Sequence, residues 1–574
     1  MIGVITVFAR LVGFGRQVVF AHTVGSTCLG TAYTTANMVP NIIYDIVLGG
    51  ALSSVVVPVL AGPALRAGEQ ARQIASALLT WTVALLVPVS VAVAVAAHSI
   101  VAVLLSGASG CPRGELVGVG TRMLIVFAPQ VLLYGLAVVL YGILQSHRRF
   151  GAPALAPLLS SVVVVAAYAV FGVVGGAYVN RLHALPPAAE YLLSVGTTLG
   201  VLALVLTAVI PARRLRLRIR PAWRFPSGVG QRVRRLAMAG VLTLVAQDAS
   251  VAVVIVLANR HGGQGALVLY GFAWAVFLVP FAVLAIPIAT SAFPELSARS
   301  GNADPRLPSA AAIPEISPSG HPADAPHPLP NGHVLRFPGP GDDTNEASDA
   351  LDASDARQGF DATAASSTRA VLVASWLGAA VLLGARVPLA RVFESHSAPA
   401  ASILALSLAA FAPGLIGYGL SANLSRVLYA QGRNRAPALA VSAGWLLVIV
   451  ADLLIVPLVP RSRVVPALGL GSSIGLTVAG AALLVLAGRA GGAASLAGIP
   501  RAFLGGLTGC AVAAAAGSAV AAVLSVSGFI ANFGASILVS AVVTAVFVVV
   551  VLNVDGGDLR AALARLRTRV PADP

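Results

Sequence analysis

The sequence predicts an all-α polytopic membrane protein with about fourteen transmembrane helices. Of its 574 residues, 57% are hydrophobic and only 10% are charged, and the mean hydropathy is +0.89. This composition excludes a soluble globular protein, whose surface needs far more charge. The apolar runs are continuous over about twenty residues, the length of a membrane-spanning helix, whereas the strands of a membrane barrel alternate over about ten.

The predicted spans follow from these runs, and their orientation follows from the loops between them. The runs lie near 2–23, 38–62, 76–97, 122–144, 155–177, 190–210, 236–258, 267–292, 370–390, 401–428, 438–459, 467–488, 502–525 and 530–553. The connections after even-numbered spans contain more arginine than those after odd-numbered spans. Because cytoplasmic loops are enriched in Lys and Arg, both termini are predicted to be cytoplasmic.

A short internal repeat predicts that the bundle has two halves. Leu140 begins LYGILQSHRRFGAPALAPLLS and Leu428 begins LYAQGRNRAPALAVSAG, and both contain Leu-Tyr, a basic turn and Ala-Pro-Ala-Leu-Ala. Six spans separate the copies, so two six-helix lobes are predicted, with a substrate path between them and two further C-terminal helices. The predicted division is an N-terminal lobe with its basic loop (1–235), spans seven and eight (236–295), a linker (296–368), spans nine to twelve (369–490), spans thirteen and fourteen (491–554) and a cytoplasmic tail (555–574).

Charge is distributed unevenly along the chain. The formal net charge is +16, yet residues 296–368 contain ten acids and four arginines, and their Pro, Gly, Ser, Ala and Asp content predicts a disordered cytoplasmic linker. The sixth connection, residues 211–235, contains nine arginines with Trp223 and Phe225 between them. It is interpreted as a topology anchor, with binding of anionic lipid headgroups as the alternative. Since the arginines lie in loops between spans, nucleic acid is not expected as a partner.

Two arginines interrupt the first apolar span. Arg10 and Arg16 lie six residues apart, about 9 Å along a helix and roughly 120° around it. An intramembrane charge costs roughly 2.5–3.5 kcal/mol even on lenient scales, so such residues usually face a cavity or a charged ligand. Arg suits phosphate because its planar fork donates two parallel hydrogen bonds. The pair predicts an anion site, with interfacial anchoring of either side chain as the alternative.

Four stretches resemble the MurJ (MviN) lipid II flippase family. They are ARLVGFGRQVVFAHTVG, ANMVPNIIYDIVLGGALSSVVVPVL, RRFGAPALAPLLS and LYAQGRNRAP. The resemblance covers most of residues 1–490 and implies the fourteen-helix fold of the multidrug/oligosaccharidyl-lipid/polysaccharide exporter superfamily in a bacterial plasma membrane. It also implies a substrate, the undecaprenyl-diphosphate-linked disaccharide pentapeptide of peptidoglycan synthesis. Arg10 and Arg16 match the family's first-helix arginines, which are thought to meet the diphosphate.

The sequence departs from the family pattern at several charged positions. Asn41 matches, but Tyr44 and Asp45 stand where many members have two arginines. An arginine common in the eighth helix falls at about Ala275, and an acid usual early in the second helix corresponds to about Thr31. The charge of the predicted cavity is thus reduced, which leaves open a divergent paralogue with another lipid-linked cargo.

Polar residues in later spans are further candidates. Asp248, beside Gln247, is interpreted as a partner of the first-span arginines or a titratable coupling group, with a hydrogen-bonded structural carboxyl as the alternative. Asp452 is a similar case in which the structural role is favoured. Asn423 and Arg426 share a helix face at i, i+3 and are candidates to line the second lobe, although Arg426 also fits an anchor at the cytoplasmic end. The predicted substrate-binding set is Arg10, Arg16, Asn41, Asp45, Gln247, Asp248, Asn423 and Arg426.

The residues fit a transporter better than an enzyme. No catalytic triad, P-loop or paired-carboxylate motif was found, and no metal or cofactor is expected. The leading hypothesis is a flippase that moves lipid II to the outer leaflet by alternating access, coupled to the membrane potential or a monovalent cation. The alternatives are a scaffold for cell-wall synthesis or division proteins and an exporter of another lipid-linked oligosaccharide. A drug exporter is disfavoured because cationic drugs call for acidic cavities.

The three cysteines do not have metal-ligand spacing. They are Cys28, Cys111 and Cys510. Cys28 and Cys111 both lie in connections predicted to face outward, so a disulfide between them is one alternative and two free thiols the other.

Overall fold

The structure, a computed structural model, describes residues 2–46, 68–147, 149–215, 220–225, 229–303, 343–393, 398–433, 435–524 and 526–554. Within these ranges the chain forms nineteen α-helices joined by short turns and single-turn helices, without a strand. The predicted all-α fold is therefore confirmed.

The first lobe contains eight helices. They are α1 (Ile2–Thr23), α2 (Cys28–Asp45), α3 (Gly68–Val95), α4 (Ala97–Leu104), α5 (Arg113–Phe127), α6 (Pro129–Ser146), α7 (Gly151–Val174) and α8 (Pro187–Arg213). Helix α1 packs along α7, α7 along α8, and α2 along α5. Helices α5 and α6 follow one another with only Ala128 between them, since the first residue of α6 is Pro129, which has no N–H to continue the helix.

The second lobe and the C-terminal pair contain the other eleven helices. They are α9 (Val229–Leu257), α10 (Ala266–Pro280), α11 (Ile286–Ala303), α12 (Asp343–Gly384), α13 (Arg386–Val392), α14 (Ala398–Phe411), α15 (Gly414–Ala430), α16 (Arg435–Ile455), α17 (Val464–Gly491), α18 (Ile499–Val523) and α19 (Phe529–Val554). Helix α10 contacts α1 and α2 across the boundary between the lobes, and α18 and α19 pack on α12.

The number of membrane spans differs from the prediction. Eleven described helices are long and apolar enough to cross a membrane, or up to twelve if α14 and α15, bent by 45° at their junction, form one span. The predicted count of fourteen is therefore not confirmed. The second span was also placed too late, because α2 begins at Cys28, where the Thr27 hydroxyl caps it by accepting a hydrogen bond from Gly30 N. Residues 47–62 of that predicted span lie outside the described ranges.

The prediction of a disordered linker over 296–368 is wrong at both of its ends. Helix α11 continues to Ala303 and α12 begins at Asp343. The two helices pack against each other, and Leu296, Phe360 and Ala364 form a buried apolar cluster with Val427 of α15. Their apolar side chains recur on one helix face within an otherwise polar composition, which explains why composition alone suggested disorder. Residues 304–342 and the tail 555–574 lie outside the described ranges.

Close backbone approach joins α15 and α17 in the second lobe. A Cβ atom on Gly417 would meet the backbone of Leu476 and Thr477, and one on Gly480 would meet the backbone of Gly417. Small residues at such contacts allow membrane helices to approach closely and gain packing energy. The glycine content of the second lobe is thus explained by helix packing.

Candidate functional site

A cavity of about 200 Å³ lies at the boundary between the lobes. Its walls come from α1, α2, α6, α7 and α8 of the first lobe, while Val268, Gly271 and Phe272 of α10 close it from the second. A cavity shared by two bodies that meet along α1, α2 and α10 is where a cargo would sit in alternating access. We therefore take it as the centre of the candidate site.

Arg16 is the charged residue among the side chains that line this cavity. Its side chain is partly buried, and no described carboxylate lies within salt-bridge distance of it. An arginine in this setting keeps its hydrogen-bond donors for a ligand, and its planar fork matches a phosphate. The structure thus places Arg16 where the sequence predicted an anion site.

A cluster of hydroxyl groups lines the same cavity. Tyr33 Oη is 2.7 Å from Tyr168 Oη and 2.8 Å from Thr197 Oγ1. The three residues come from α2, α7 and α8, and all three are buried. Hydroxyls both donate and accept, so this hydroxyl cluster can hydrogen-bond phosphate or sugar oxygens. Sequence analysis missed it, because a tyrosine in an apolar run is typical of a packed core.

Asn41 also lines the cavity, as predicted. Its Nδ2 donates to Asn37 O at 2.9 Å, and its Oδ1 accepts from Tyr134 Oη at 3.1 Å. Tyr134 stacks on Tyr44 with ring centroids 4.3 Å apart. The tyrosine at position 44, which stands where many family members are expected to have an arginine, thus supports an aromatic wall.

Arg10 does not line the cavity, although it lies on the same helix. Its side chain is exposed. It is seven residues before Gln17, which does line the cavity, so the two share a helix face. The structure therefore places Arg10 outside the cavity and does not bring it together with Arg16.

The predicted pairing of Asp248 with the first-span arginines is wrong. Asp248 is buried, and neither of its carboxylate oxygens has a hydrogen-bond partner among the described residues, so the hydrogen-bonded structural alternative is not found either. Its electrostatic neighbour is Asp45, which lies partly buried at the end of α2. Neither these two nor Gln247 lines the cavity. The electrostatic proximity of Asp248 and Asp45 depends on how α9 packs on α2, which periodicity alone could not show.

Asn423 and Arg426 are placed away from the cavity. Asn423 is fully buried and its Nδ2 donates to Thr368 Oγ1 at 3.0 Å, which links α15 to α12. Arg426 Nη1 donates to Ala422 O of its own helix at 2.6 Å. Asn423 lies within the packing between α15 and α12 and does not line this cavity, while the lining of the second lobe by Arg426 stays a prediction.

The structure makes Asp452 a stronger candidate for a functional role than the sequence did. Its side chain is 0% exposed, and neither carboxylate oxygen has a hydrogen-bond partner among the described residues. Tyr270, an electrostatic neighbour, lies with its hydroxyl 3.4 Å from Ser472 Oγ, and Gly471 leaves room beside the carboxylate. A carboxyl so deeply buried needs a proton or a cation to compensate its charge.

Hydrogen bonds join the two lobes at one end of the cavity. This end lies near the loops that follow the odd-numbered predicted spans. Asn259 Nδ2 donates to Thr35 Oγ1 at 3.1 Å and to Leu104 O at 3.0 Å, and Gly265 N donates to Thr31 Oγ1 at 2.9 Å. We call these five residues the seal. Asn259, Thr35 and Thr31 are almost completely buried, so the seal closes this end of the boundary between the lobes.

A disulfide lies beside the seal. Cys28 and Cys111 are bonded, with Cα atoms 5.7 Å apart, which decides between the two alternatives that the sequence left open. The bond joins the start of α2 to the turn before α5, both in the first lobe. It therefore stiffens the first lobe's side of the seal without linking the lobes.

A sequence model described as Lipid II flippase MurJ matches residues 20–309, about half of the chain. The chain belongs to the MurJ family. The matched range begins four residues after Arg16, so the arginine pattern of α1 is an observation in addition to this match.

Curated MurJ relatives agree over a similar length. The Lipid II flippase MurJ of Burkholderia cenocepacia is 27% identical over 305 residues, which are 52% of this chain and 56% of that protein. The Probable lipid II flippase MurJ of Rhizobium meliloti is 25% identical over 304 residues, 52% of this chain and 55% of that protein. The chain thus spans little more than half the length of the curated relatives it matches.

Solved structures extend the likeness of the fold to nearly the whole chain. A structure titled Lipid II flippase MurJ, inward closed conformation, superposes with a TM-score of 0.65 at 16% identity, covering 95% of this chain and 98% of that one. An inward-facing multidrug resistance MATE family transporter of the MOP superfamily gives a TM-score of 0.60 at 13% identity, over 85% and 96%. The MurJ fold therefore extends over nearly the whole chain, and the chain is a multi-pass membrane protein.

Proposed function

We propose that this protein is a flippase that moves a lipid-linked diphosphate-sugar precursor of peptidoglycan, lipid II, from the cytoplasmic to the outer leaflet. The activity named for its relatives supports this, as do the polar residues that line the cavity between the lobes. The headgroup would enter this cavity while the polyprenyl tail stays in the bilayer. The residues supply binding and shielding from hydrocarbon and need not supply bond chemistry, so we propose a transporter and not an enzyme.

The observation that carries the proposal is the position of Arg16. It lies in the cavity without a described carboxylate partner, together with the hydroxyl cluster of Tyr33, Tyr168 and Thr197. Arginine and hydroxyls are the groups that replace the hydration of a phosphate and a sugar. Without these groups, the transfer of a charged headgroup from water into hydrocarbon would have a prohibitive free-energy cost.

Alternating access is supported by the seal. Asn259 and Gly265 of the second lobe hydrogen-bond to α2 and to Leu104 of the first, so this end is shut. Opening it requires breaking three hydrogen bonds, each worth about 1 kcal/mol net, which is within reach of a substrate-driven change. The arginine bias of the loops supports the proposal that this end faces outside the cell and that both termini are cytoplasmic.

We propose further that transport is coupled to the membrane potential or to a monovalent cation, and two buried carboxylates support this. Asp248 and Asp452 have no described hydrogen-bond partner at either oxygen. A charge in that position is compensated when a proton or a small cation binds. Replacing Na⁺ by K⁺, or collapsing the potential with an ionophore, would separate these two sources of energy.

The test of function is complementation of a bacterial strain depleted of its own lipid II flippase. We expect this chain to restore growth, and we expect lipid II headgroups to become accessible to an externally added cleaving enzyme. Arg16→Ala should fail on both readouts, whereas Arg433→Ala, which removes an exposed arginine outside the cavity, should succeed. Failure of the inserted wild-type chain would favour another lipid-linked oligosaccharide or a scaffold for wall-synthesis and division proteins.

A further inference from the structure

The connection between α8 and α9 lies against the outer surface of α3. Residues 220–225 form this segment, which we call the strap. Arg220 N donates to Ser76 Oγ at 3.3 Å, and Ala222 N donates to Thr80 Oγ1 at 3.0 Å. The residue between them is a proline, which has no N–H to satisfy. Irregular backbone at membrane depth is tolerated where its polar groups are satisfied, so the strap is suited to the membrane edge.

Two tryptophans fix the depth of the strap. Trp81 Nε1 donates to Trp223 O at 3.1 Å, and the two rings meet edge to face with centroids 5.6 Å apart. Both indoles remain exposed, by 48% and 61%. Farther along α3, Leu85 and Val91 are also exposed, so this face of the helix contacts lipid tails. Tryptophan is enriched where tails meet headgroups, which places the strap at headgroup level.

Exposed arginines lie in the strap and at the end of the helix that precedes it. Arg220 and Arg224 belong to the strap, and Arg213 and Arg214 end helix α8. All four are exposed, and no carboxylate in the described ranges lies within salt-bridge distance of them. Their loop is on the side predicted to be cytoplasmic, where the leaflet surface is negative. A topology anchor needs only positive charge. The backbone of the strap, which is held beside two indoles, also fixes the position of that charge at the lipid surface.

We propose that the strap and the end of α8 bind the phosphate of an anionic phospholipid. The lipid would belong to the leaflet on the side of this loop, which is predicted to be cytoplasmic. Arg220 and Arg224 would hold the phosphate, Trp81 and Trp223 would pack beside the glycerol and upper acyl chains, and the arginines of α8 would add charge. No strap residue lines the cavity, so the site is separate from the cargo and independent of the proposed function. Occupied, it would hold α3 and α8 at the membrane surface.

The test uses the tryptophans as reporters. The full chain is reconstituted in phosphatidylcholine nanodiscs containing increasing amounts of phosphatidylglycerol brominated on its acyl chain, and quenching of tryptophan fluorescence is measured. We expect half-maximal quenching at a mole fraction on the order of tenfold lower for brominated phosphatidylglycerol than for brominated phosphatidylcholine. Arg220→Gln with Arg224→Gln should remove this preference, because the backbone bonds of the strap remain but its charge is lost.

Two controls make the result specific. Arg433→Gln with Arg435→Gln removes the same charge from exposed positions in the second lobe and should leave the preference intact. Trp223→Phe should remove a large share of the quenching, which shows that the signal arises at the strap. Equal quenching by the two lipids, equal loss in both arginine variants, or reversal by inorganic phosphate at constant ionic strength would each overturn the proposal.

Discussion

The two lobes share a helical architecture but have different interiors. Beside the cavity, the first lobe presents an arginine, a glutamine, two asparagines and six hydroxyl groups. In the second lobe the corresponding space is filled by rings, since Trp274 lies 5.2 Å from Phe277, 5.8 Å from Phe411 and 6.5 Å from Trp445 between centroids. One lobe is thus open and polar, whereas the other is packed and apolar.

This difference indicates a division of roles between duplicated bundles. Polar groups around a cavity lose packing contacts but gain the ability to bind an anion. An aromatic core gains stability and moves as one piece, because packed interiors do not deform continuously. The comparison predicts that substitutions in the first lobe affect transport more than folding, and that those in the second do the reverse.

The largest effect on stability is expected in the second lobe from Phe411→Ala. Phe411 is completely buried against Tyr270, Trp274 and Phe277. Its truncation should cost about 3–5 kcal/mol because transfer and cavity terms add. Thermal unfolding in detergent would measure this, with Leu454→Ala, an exposed leucine of α16, as a control expected to change stability little. A loss of transport without a loss of stability would contradict the comparison.

In the first lobe the largest effect on transport is expected from Arg16→Ala. Loss of a charge-assisted phosphate contact should weaken transport roughly a hundredfold while expression and melting temperature persist. Arg16→Lys should recover only part of the activity, because an ammonium keeps the charge but loses the bidentate geometry. At Arg10, where the side chain is exposed, Lys should serve nearly as well as Arg if the residue is an anchor. Full flippase activity in the Arg10→Ala, Arg16→Ala double variant would show that the pair is structural.

A smaller effect is expected where the lobes meet, from Asn259→Ala. The change removes two hydrogen bonds of the seal and should favour its opening by up to about thirtyfold. A cysteine introduced at Asn37 in the cavity should then react faster with an impermeant maleimide added outside intact cells. Asn553→Ala, near the end of α19, is the control. Unchanged labelling in Asn259→Ala would show that the seal does not limit access.

The smallest effect is expected from Tyr168→Phe. Tyr33 then keeps Thr197 as its hydrogen-bond partner, so stability should fall by about 1 kcal/mol and transport by a few fold. Tyr141→Phe is the matched control, because Tyr141 donates to Leu204 O in the same lobe but does not line the cavity. If both variants transport equally well, the hydroxyl cluster is a structural feature and does not contact cargo.

The sequence predicted the helical fold and those site residues that can be recognised from their immediate sequence context. Arg16 was identified because a charge is unusual within an apolar run, and Asn41 because it matches the family pattern. Tyr33 and Tyr168 could not be, since their meeting depends on packing across 135 residues of sequence. Asn423 showed the opposite error, as a polar residue on a helix face can equally face a cavity or, as here, hydrogen-bond to a neighbouring helix. Sequence periodicity predicts which residues share a helix face, but not which neighbouring helix or cavity that face contacts.

The length of α12 has a mechanical consequence. Its 42 residues make a rod of about 63 Å, roughly twice the hydrocarbon thickness of a bilayer. Because the helix is continuous and belongs to the second lobe, its protruding half changes orientation whenever that lobe tilts. A rocking motion of about 15° would sweep an end 30 Å from the pivot through about 8 Å. A spin label near Asp355 would therefore amplify the transport cycle into a measurable distance change, and a protein bound there would sense each turnover.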